Sequence, residues 1–308
     1  MIRFTQTLTT GGSMKPFRDR ESDNQYQQTL GKIYNNGRKV RPIQGDESRM
    51  ILGGQLRYNL KNGFPLITDR DISGSPFKQA LGEHIGFLNG ARTQADLEKF
   101  GCKWWKDWVS PKKCADFGLP PGDLGDGSYG AAWTAFPTKE GQPFDQIENV
   151  IKQIKWRPYL RTHRITPWIP QYAIQHDELR RKVVVAPCHG DIHIMVYPND
   201  KEFDVHHIQR SGDFPVGVPF NMIQYAAFGL MLEKILDYRF NEIVYTFSDH
   251  HIYERQYSHV EELLKREPRR LPTVTLNVKR ENIKDYRLED FELTDYEPHP
   301  AMRIPTPL

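Results

Sequence analysis

Cysteine is scarce in this chain, with only three among 308 residues. So small and odd a number argues against a disulfide framework and for a reducing compartment, and a cytoplasmic protein is expected. Excess charge is lacking as well. The 42 Lys+Arg against 39 Asp+Glu leave a formal net of +3, which creates no demand for DNA or an anionic membrane as partner. No run of about 18 apolar residues occurs and mean hydropathy is -0.66, so no membrane span is expected. The opening "MIRFTQTLTTGGSMKPFRDRESD" has no contiguous apolar core of the kind a secretory signal needs. Its Thr, Gly and Ser content predicts a loose, flexible tail over residues 1–24. Internal repeats, low-complexity tracts and a dividing linker are also missing. What remains, residues 25–308, reads as a single domain of mixed α/β (α+β) class, large enough to bury a substantial core.

Local patterns sketch the elements. Residues 53–68, "GGQLRYNLKNGFPLIT", read as a strand, an Asn-Gly turn and a second strand. Residues 75–90 have helical spacing, with Phe77, Leu81, Ile85 and Leu88 on one stripe and Gly90 as a stop. A short helix over 93–101 is capped by Thr93 and closed by Gly101. Residues 109–128, rich in Pro, Gly and charge, read as a loop. A strand and Gly/Pro-rich turn over 203–221 lead into the most apolar helix, 222–236. Residues 242–253 read as a strand running into a polar loop, 254–267 as a helix and 273–278 as a late strand.

The stretch "VVVAPCHGDIHIMV", 183–196, is the most informative. In an extended chain Val184, Ala186, Cys188, Gly190, Ile192, Ile194 and Val196 share one face, with His189, Asp191 and His193 on the other. Proline is tolerated where a strand begins, so Pro187 places Cys188 at a strand entrance, where a side chain can meet a ligand. A buried structural thiol and a nucleophile both fit these residues. A zinc site built with His189 and His193 fits poorly. An extended chain points Cys188 away from both, and no second cysteine lies within ligand spacing.

Other polar clusters sit where elements end: "QRSGD" at 209–213, "GVPFN" at 217–221 and "DHHIY" at 249–253. Glu83 lies on a mostly apolar helix, where an unpaired carboxylate would be costly. Together these supply a thiol, arginines, carboxylates, an amide and a phenol. That inventory suits attack by sulfur on an anionic, amide-bearing substrate.

The block "QRSGDFPVGVPFNMIQYA" resembles the signature of the thymidylate synthases and their nucleotide-hydroxymethylase relatives. "GGQLRYNLKNGFPLIT", "EHIGFLNGARTQADL", "WWKDW", "SYGAAW", "APCH", "DHHIYERQ" and "REPRRLP" accompany it, and the likeness runs from about Arg41 to the C-terminus. The resemblance implies the thymidylate synthase fold, a mixed sheet with flanking helices. It further implies folate-dependent one-carbon transfer to C5 of dUMP through a Cys188 adduct, with 5,10-methylenetetrahydrofolate as co-substrate and no metal. The thiolate is the reactive form, and free Cys titrates at about 8.5, so nearby positive charge is needed.

By likeness, Arg210 serves both that thiolate and the substrate phosphate, with Ser211 beside it as a phosphate contact. Arg41 matches a further phosphate arginine after a two-residue shift, and Arg161 matches one lent across a homodimer interface. Asn221 matches the base reader. An amide offers one donor and one acceptor, complementary to O4 and N3–H of uracil, whereas relatives acting on cytosine carry aspartate there. His251 and Tyr253 match the residues that hold the sugar 3′-hydroxyl. Glu83 matches the general acid/base and Tyr129 the tyrosine of C5 proton removal. Asp213, Trp105, Trp108, Gly217 and Arg70 fall in the folate-binding positions.

Several residues depart from the family pattern. Thr162 stands at the second of two adjacent interface arginines, with Arg164 two residues on. His193 stands where a glutamine is usual, Arg70 where a lysine is, and the chain ends Pro-Leu. The expected product is dTMP with dihydrofolate. Hydroxymethylation of dUMP, giving tetrahydrofolate, is the alternative, and a nucleotide-binding regulatory homologue is the non-enzymatic one.

Overall fold

The computed structural model describes residues 14–42 and 45–307. In chain order the regular elements begin with α1 (Gln25–Asn36), β1 (Arg38–Val40) and β2 (Ser48–Asn59). The helices α2 (Ser75–Leu88), α3 (Gln94–Lys99), α4 (Pro111–Ala115), α5 (Tyr129–Thr134) and α6 (Gln146–Trp156) follow. Next come β3 (Arg164–Ile165), α7 (Pro170–Ala173), β4 (Asp191–Tyr197), β5 (Glu202–Asp213), α8 (Gly217–Leu236) and β6 (Arg239–Tyr253). The last three are α9 (Tyr257–Leu263), β7 (Thr273–Leu276) and β8 (Phe291–Thr294).

Six strands form one sheet in the order β1-β2-β6-β5-β4-β3, antiparallel throughout except for the parallel pair β5 and β6. Parallel neighbours need a crossover, and α8 supplies it. This helix is apolar on every side because it runs through the core, and fifteen of its residues are buried. Its first turn tolerates Pro219, since the N–H lost there has no partner in a helix start. Helix α2 packs beside it and is buried continuously from Ala80 to Leu88, not along one stripe. Glu83 and His84 are therefore interior residues. The structure is a single mixed α/β domain.

The pairing of β5 with β6 sets Ser211 opposite Asp249 and Asp213 opposite His251. These are the carboxyl ends of two parallel strands flanking a crossover helix, a place where open sheets commonly bind ligands.

Several local expectations need correction. Only one strand forms over 53–68. After Asn59 the chain takes a helical turn, and Gly63 at φ 118 sends Phe64–Thr68 into the core as buried irregular chain. Residues 109–128 include α4, started by Pro111. The turn after β5 spans just 214–216, so Asn221 is helical, and the "DHHIY" residues belong to β6. Among residues 1–24, residues 1–13 lie outside the described residues. Within 14–24 Arg20 is buried and donates to the Leu271 carbonyl at 2.9 Å, while its neighbours are exposed or partly exposed.

Candidate active site

Cys188 sits in a loop three residues before β4, not in the strand itself. Gly190, at φ 100, breaks the alternation that the sequence pattern extends back to Val184. A Cβ there would lie 2.8 Å from Trp133, so the kink is available only to glycine. Beyond the kink the pattern holds, with Ile192, Ile194 and Val196 buried. Before it, His189 is turned inward, its Nδ1 2.5 Å from the Tyr225 hydroxyl and its ring stacked on Tyr129. The loop is tied from both sides. The Cys188 N–H donates to the Tyr129 hydroxyl at 2.8 Å, and its carbonyl accepts the N–H groups of Arg210 and Ser211 at 2.7 and 3.2 Å.

Arg210 Nη2 lies 3.3 Å from Cys188 Sγ. The guanidinium is aimed there by the carbonyls of Pro187, 3.1 Å from Nε, and Ala186, 3.2 Å from Nη2. Burial pushes the thiol up, while the charge of Arg210 and a contact with Tyr129 pull it down, and burial wins. The thiol is thus the resting form near neutral pH.

Glu83 is 6% exposed and both of its carboxylate oxygens accept hydrogen bonds. Oε1 accepts from Trp104 Nε1 at 2.7 Å and from Trp105 Nε1, and Oε2 accepts from Gln224 Nε2. Burial raises its pKa, and the three donors resist. Asn221 is held at both ends: Gln209 Nε2 donates to its Oδ1 at 3.1 Å, and its Nδ2 donates to Gln224 Oε1 at 2.9 Å. Ser211 Oγ donates to Asp249 at 2.7 Å, and His251 Nδ1 meets the other Asp249 oxygen at 3.0 Å. Burial would raise Asp249, but these two contacts and the Arg210 charge hold it below the usual carboxylate range.

A cavity of about 930 Å³ joins these groups. Its floor carries Cys188, Glu83, Tyr129, Ser211 and Asn221, with His251 and Tyr253 at one side. Asp213, Gly217, Trp105 and Trp108 line the rest, together with Trp104 and Phe220, whose rings meet at 5.1 Å. Asp213 is pushed up to about 6 by burial and accepts from Gln256 Nε2 at 3.0 and 3.1 Å. The same nitrogen reaches the Pro305 carbonyl at 2.9 Å, which draws residues 303–307 over the cavity mouth.

Four expected site residues do not line the cavity. Arg210 reaches it only through the thiol. Arg41 and Arg161 are exposed away from it. Arg70 points inward, 6% exposed, with Nη2 on the Pro215 carbonyl at 2.8 Å. His193 also lies outside, its Nε2 3.1 Å from the Arg161 carbonyl. Cys188, His189 and His193 therefore do not converge on a point, and among the described residues no three His, Cys, Asp or Glu side chains do so. Sequence reasoning missed Trp104, Gln209, Gln224, Asp249 and Gln256. The tandem tryptophans, and Gln224 one helical turn after Asn221, were the available signals.

A thiol beside a cation, a buried carboxylate and an amide held at both ends are thus gathered around one cavity, the set of groups an enzyme of nucleophilic catalysis uses. The family model for thymidylate synthase matches residues 24–307, and the chain belongs to the thymidylate synthase family. This family transfers a one-carbon unit to C5 of dUMP, with methylenetetrahydrofolate as co-substrate. Among the described residues no helix is long and apolar enough to cross a membrane.

Proposed function

We propose that this chain methylates dUMP to dTMP, yielding dihydrofolate. The observation that carries the reading is the contact of Arg210 with Cys188, 3.3 Å long, on the floor shared by Glu83 and Asn221. Cys188 Sγ adds to C6 of the base, and the electron pair displaced from the C5–C6 bond makes C5 nucleophilic. Asn221 reads O4 and N3–H. Glu83 takes and returns protons at the pyrimidine, and Tyr129, which orients the Cys188 backbone, stands where the C5 proton leaves. Arg210 and Ser211 receive the phosphate, while His251 and Tyr253 hold the sugar.

The residues present suit a reduced folate. Trp104, Trp105, Trp108 and Phe220 form an aromatic wall, and the Asp213 carboxylate can accept from a pterin N–H. When bound, the folate would supply the one-carbon unit and the hydride. Gly217 lets the backbone approach it, and Arg70 stands behind the wall, 6.0 Å from the Phe220 ring centroid.

Exclusion of water is what supports methylation over hydroxymethylation. Ile304 and Pro307 are buried over the mouth, and His193, a polar group that would retain water, is outside the cavity. A homodimer belongs to the reading. Arg161 adjoins exposed Trp156 and Tyr159, 75% and 73% accessible, an apolar patch suited to a second subunit. The test follows dihydrofolate formation and identifies the nucleotide by mass. A hydroxymethyl product without dihydrofolate would make this a deoxyuridylate hydroxymethylase, and no turnover with formed complexes would make it a regulatory homologue.

A further inference from the structure

We infer that Gln224 is a positioning residue that decides which base the cavity reads, by locking the Asn221 amide to the ionised form of Glu83. The inference rests on the function proposed above. Gln224 lies one turn beyond Asn221 on α8, is fully buried and does not line the cavity. No ligand would touch it, yet every polar group of its side chain is engaged. Oε1 accepts from Asn221 Nδ2 at 2.9 Å, and Nε2 donates to Glu83 Oε2 and to the Ala80 carbonyl at 3.3 Å.

These contacts belong to a longer chain with a single direction. The Tyr245 hydroxyl donates to Gln209 Oε1 at 2.5 Å, and Gln209 Nε2 donates to Asn221 Oδ1 at 3.1 Å. Asn221 donates to Gln224, and Gln224 donates to Glu83. The direction is set at its end, because an ionised carboxylate can only accept. Turning the Gln224 amide over would face its oxygen to the Glu83 carboxylate and the Ala80 carbonyl, and its NH₂ to that of Asn221. Buried groups deprived of partners in this way are strongly disfavoured.

The consequence appears at Asn221. With one Nδ2 hydrogen and one Oδ1 lone pair committed to the chain, one of each is left for a ligand. The nitrogen end then faces O4 of uracil and the oxygen end faces N3–H. A reversed Asn221 would present the complement of cytosine, whose amino group donates and whose N3 accepts. Only the hydrogen bonds on either side prevent that reversal. Gln224 supplies the one tied to Glu83, so selection of the base and the charge of the acid/base residue are coupled through it.

The experiment compares dissociation constants for dUMP and dCMP by calorimetry in the wild-type chain and in Gln224→Leu, which keeps volume but neither donates nor accepts. Gln224→Met is the second variant, used alongside in case Leu perturbs folding, and melting curves check both. The expected result is that the dCMP:dUMP ratio of dissociation constants falls at least tenfold, while Cys188 still reacts with a thiol reagent at the wild-type rate. A ratio kept within threefold of wild type, whatever happens to the two affinities together, overturns the inference while leaving the proposed function intact. A wild-type chain that binds neither nucleotide, or prefers dCMP, overturns both.

Discussion

Replacing Arg210 by Met removes the cation that faces the Cys188 sulfur, and the structure sets the size of the effect. A full charge 3.3 Å from the sulfur is worth about 5 kcal/mol to the thiolate at an effective dielectric constant of about 20. Arg210 is exposed, so solvent screening brings this down to about 2–3 kcal/mol. At about 1.4 kcal/mol per tenfold, the thiolate fraction below the thiol's midpoint falls roughly 30- to 140-fold. A more basic thiolate is also a better nucleophile, with a Brønsted slope of about 0.4–0.5, which returns roughly half of the logarithmic loss. The net expectation is a decrease of about 5- to 15-fold in the rate of exchange between Cys188 and a small disulfide reagent at pH 7.5. Cys102 and Cys114 are wholly buried and do not contribute. Arg210→Lys should fall between the two, since an ammonium keeps the charge but loses the fork that the Pro187 and Ala186 carbonyls aim. A rate in Arg210→Met equal to wild type would refute the claim that this charge governs the thiol.

Three further outcomes follow from other sites. Asp69 is 5% exposed, its Oδ1 has no hydrogen-bond partner among the described residues, and burial raises its pKa to about 6. Its proton therefore stabilises the fold below about pH 4, and that contribution is lost as pH rises through 6. Asp69→Asn should gain about 2–3 kcal/mol over wild type at pH 8, with the gap in melting temperature closing near pH 4; equal melting at pH 8 would contradict this. Gly82→Ala would drive a methyl group into the Phe100 carbonyl, forcing α2 and Glu83 off the turn at 100–102. A loss of about 1–3 kcal/mol in denaturant unfolding, with lower turnover, is expected, and wild-type stability would show that α2 can shift freely. Asn221→Asp should move the kcat/KM ratio from dUMP towards dCMP, because a carboxylate accepts from the cytosine amino group; an unchanged ratio would mean that residue 221 does not read the base.

Apolar spacing revealed α2, β5, most of β6 and the core helix, while the capping residue Thr93 revealed α3. It failed where tertiary packing overrode pattern. Phe64–Thr68 are apolar enough for a buried strand, but Gly63 turns them into the core as irregular chain. The polar "DHHIY" run reads as loop, yet backbone pairing with β2 carries β6 through it to Tyr253. Cys188 stood out through its motif and Arg210 through likeness, whereas the Tyr129 hydroxyl that holds the Cys188 N–H did not. The Gln209–Asn221–Gln224–Glu83 chain joins β5 and α8 to α2, far away in sequence, and side-chain amides give no periodic signal. Arg70 shows the limit of likeness: the position is recognisable, but its inward course depends on packing against Pro215 and Phe220.

The most direct test of the account is to incubate the protein with 5-fluoro-dUMP and methylenetetrahydrofolate, denature it, and measure its mass. Fluorine at C5 cannot leave as the proton does, so a chain that attacks C6 with Cys188 should retain both small molecules. One nucleotide and one folate per chain, mapped to the Cys188 peptide and absent from Cys188→Ser, is the expected result. Bound nucleotide that is wholly released on denaturation, with Cys188 unmodified, would contradict covalent catalysis by this residue.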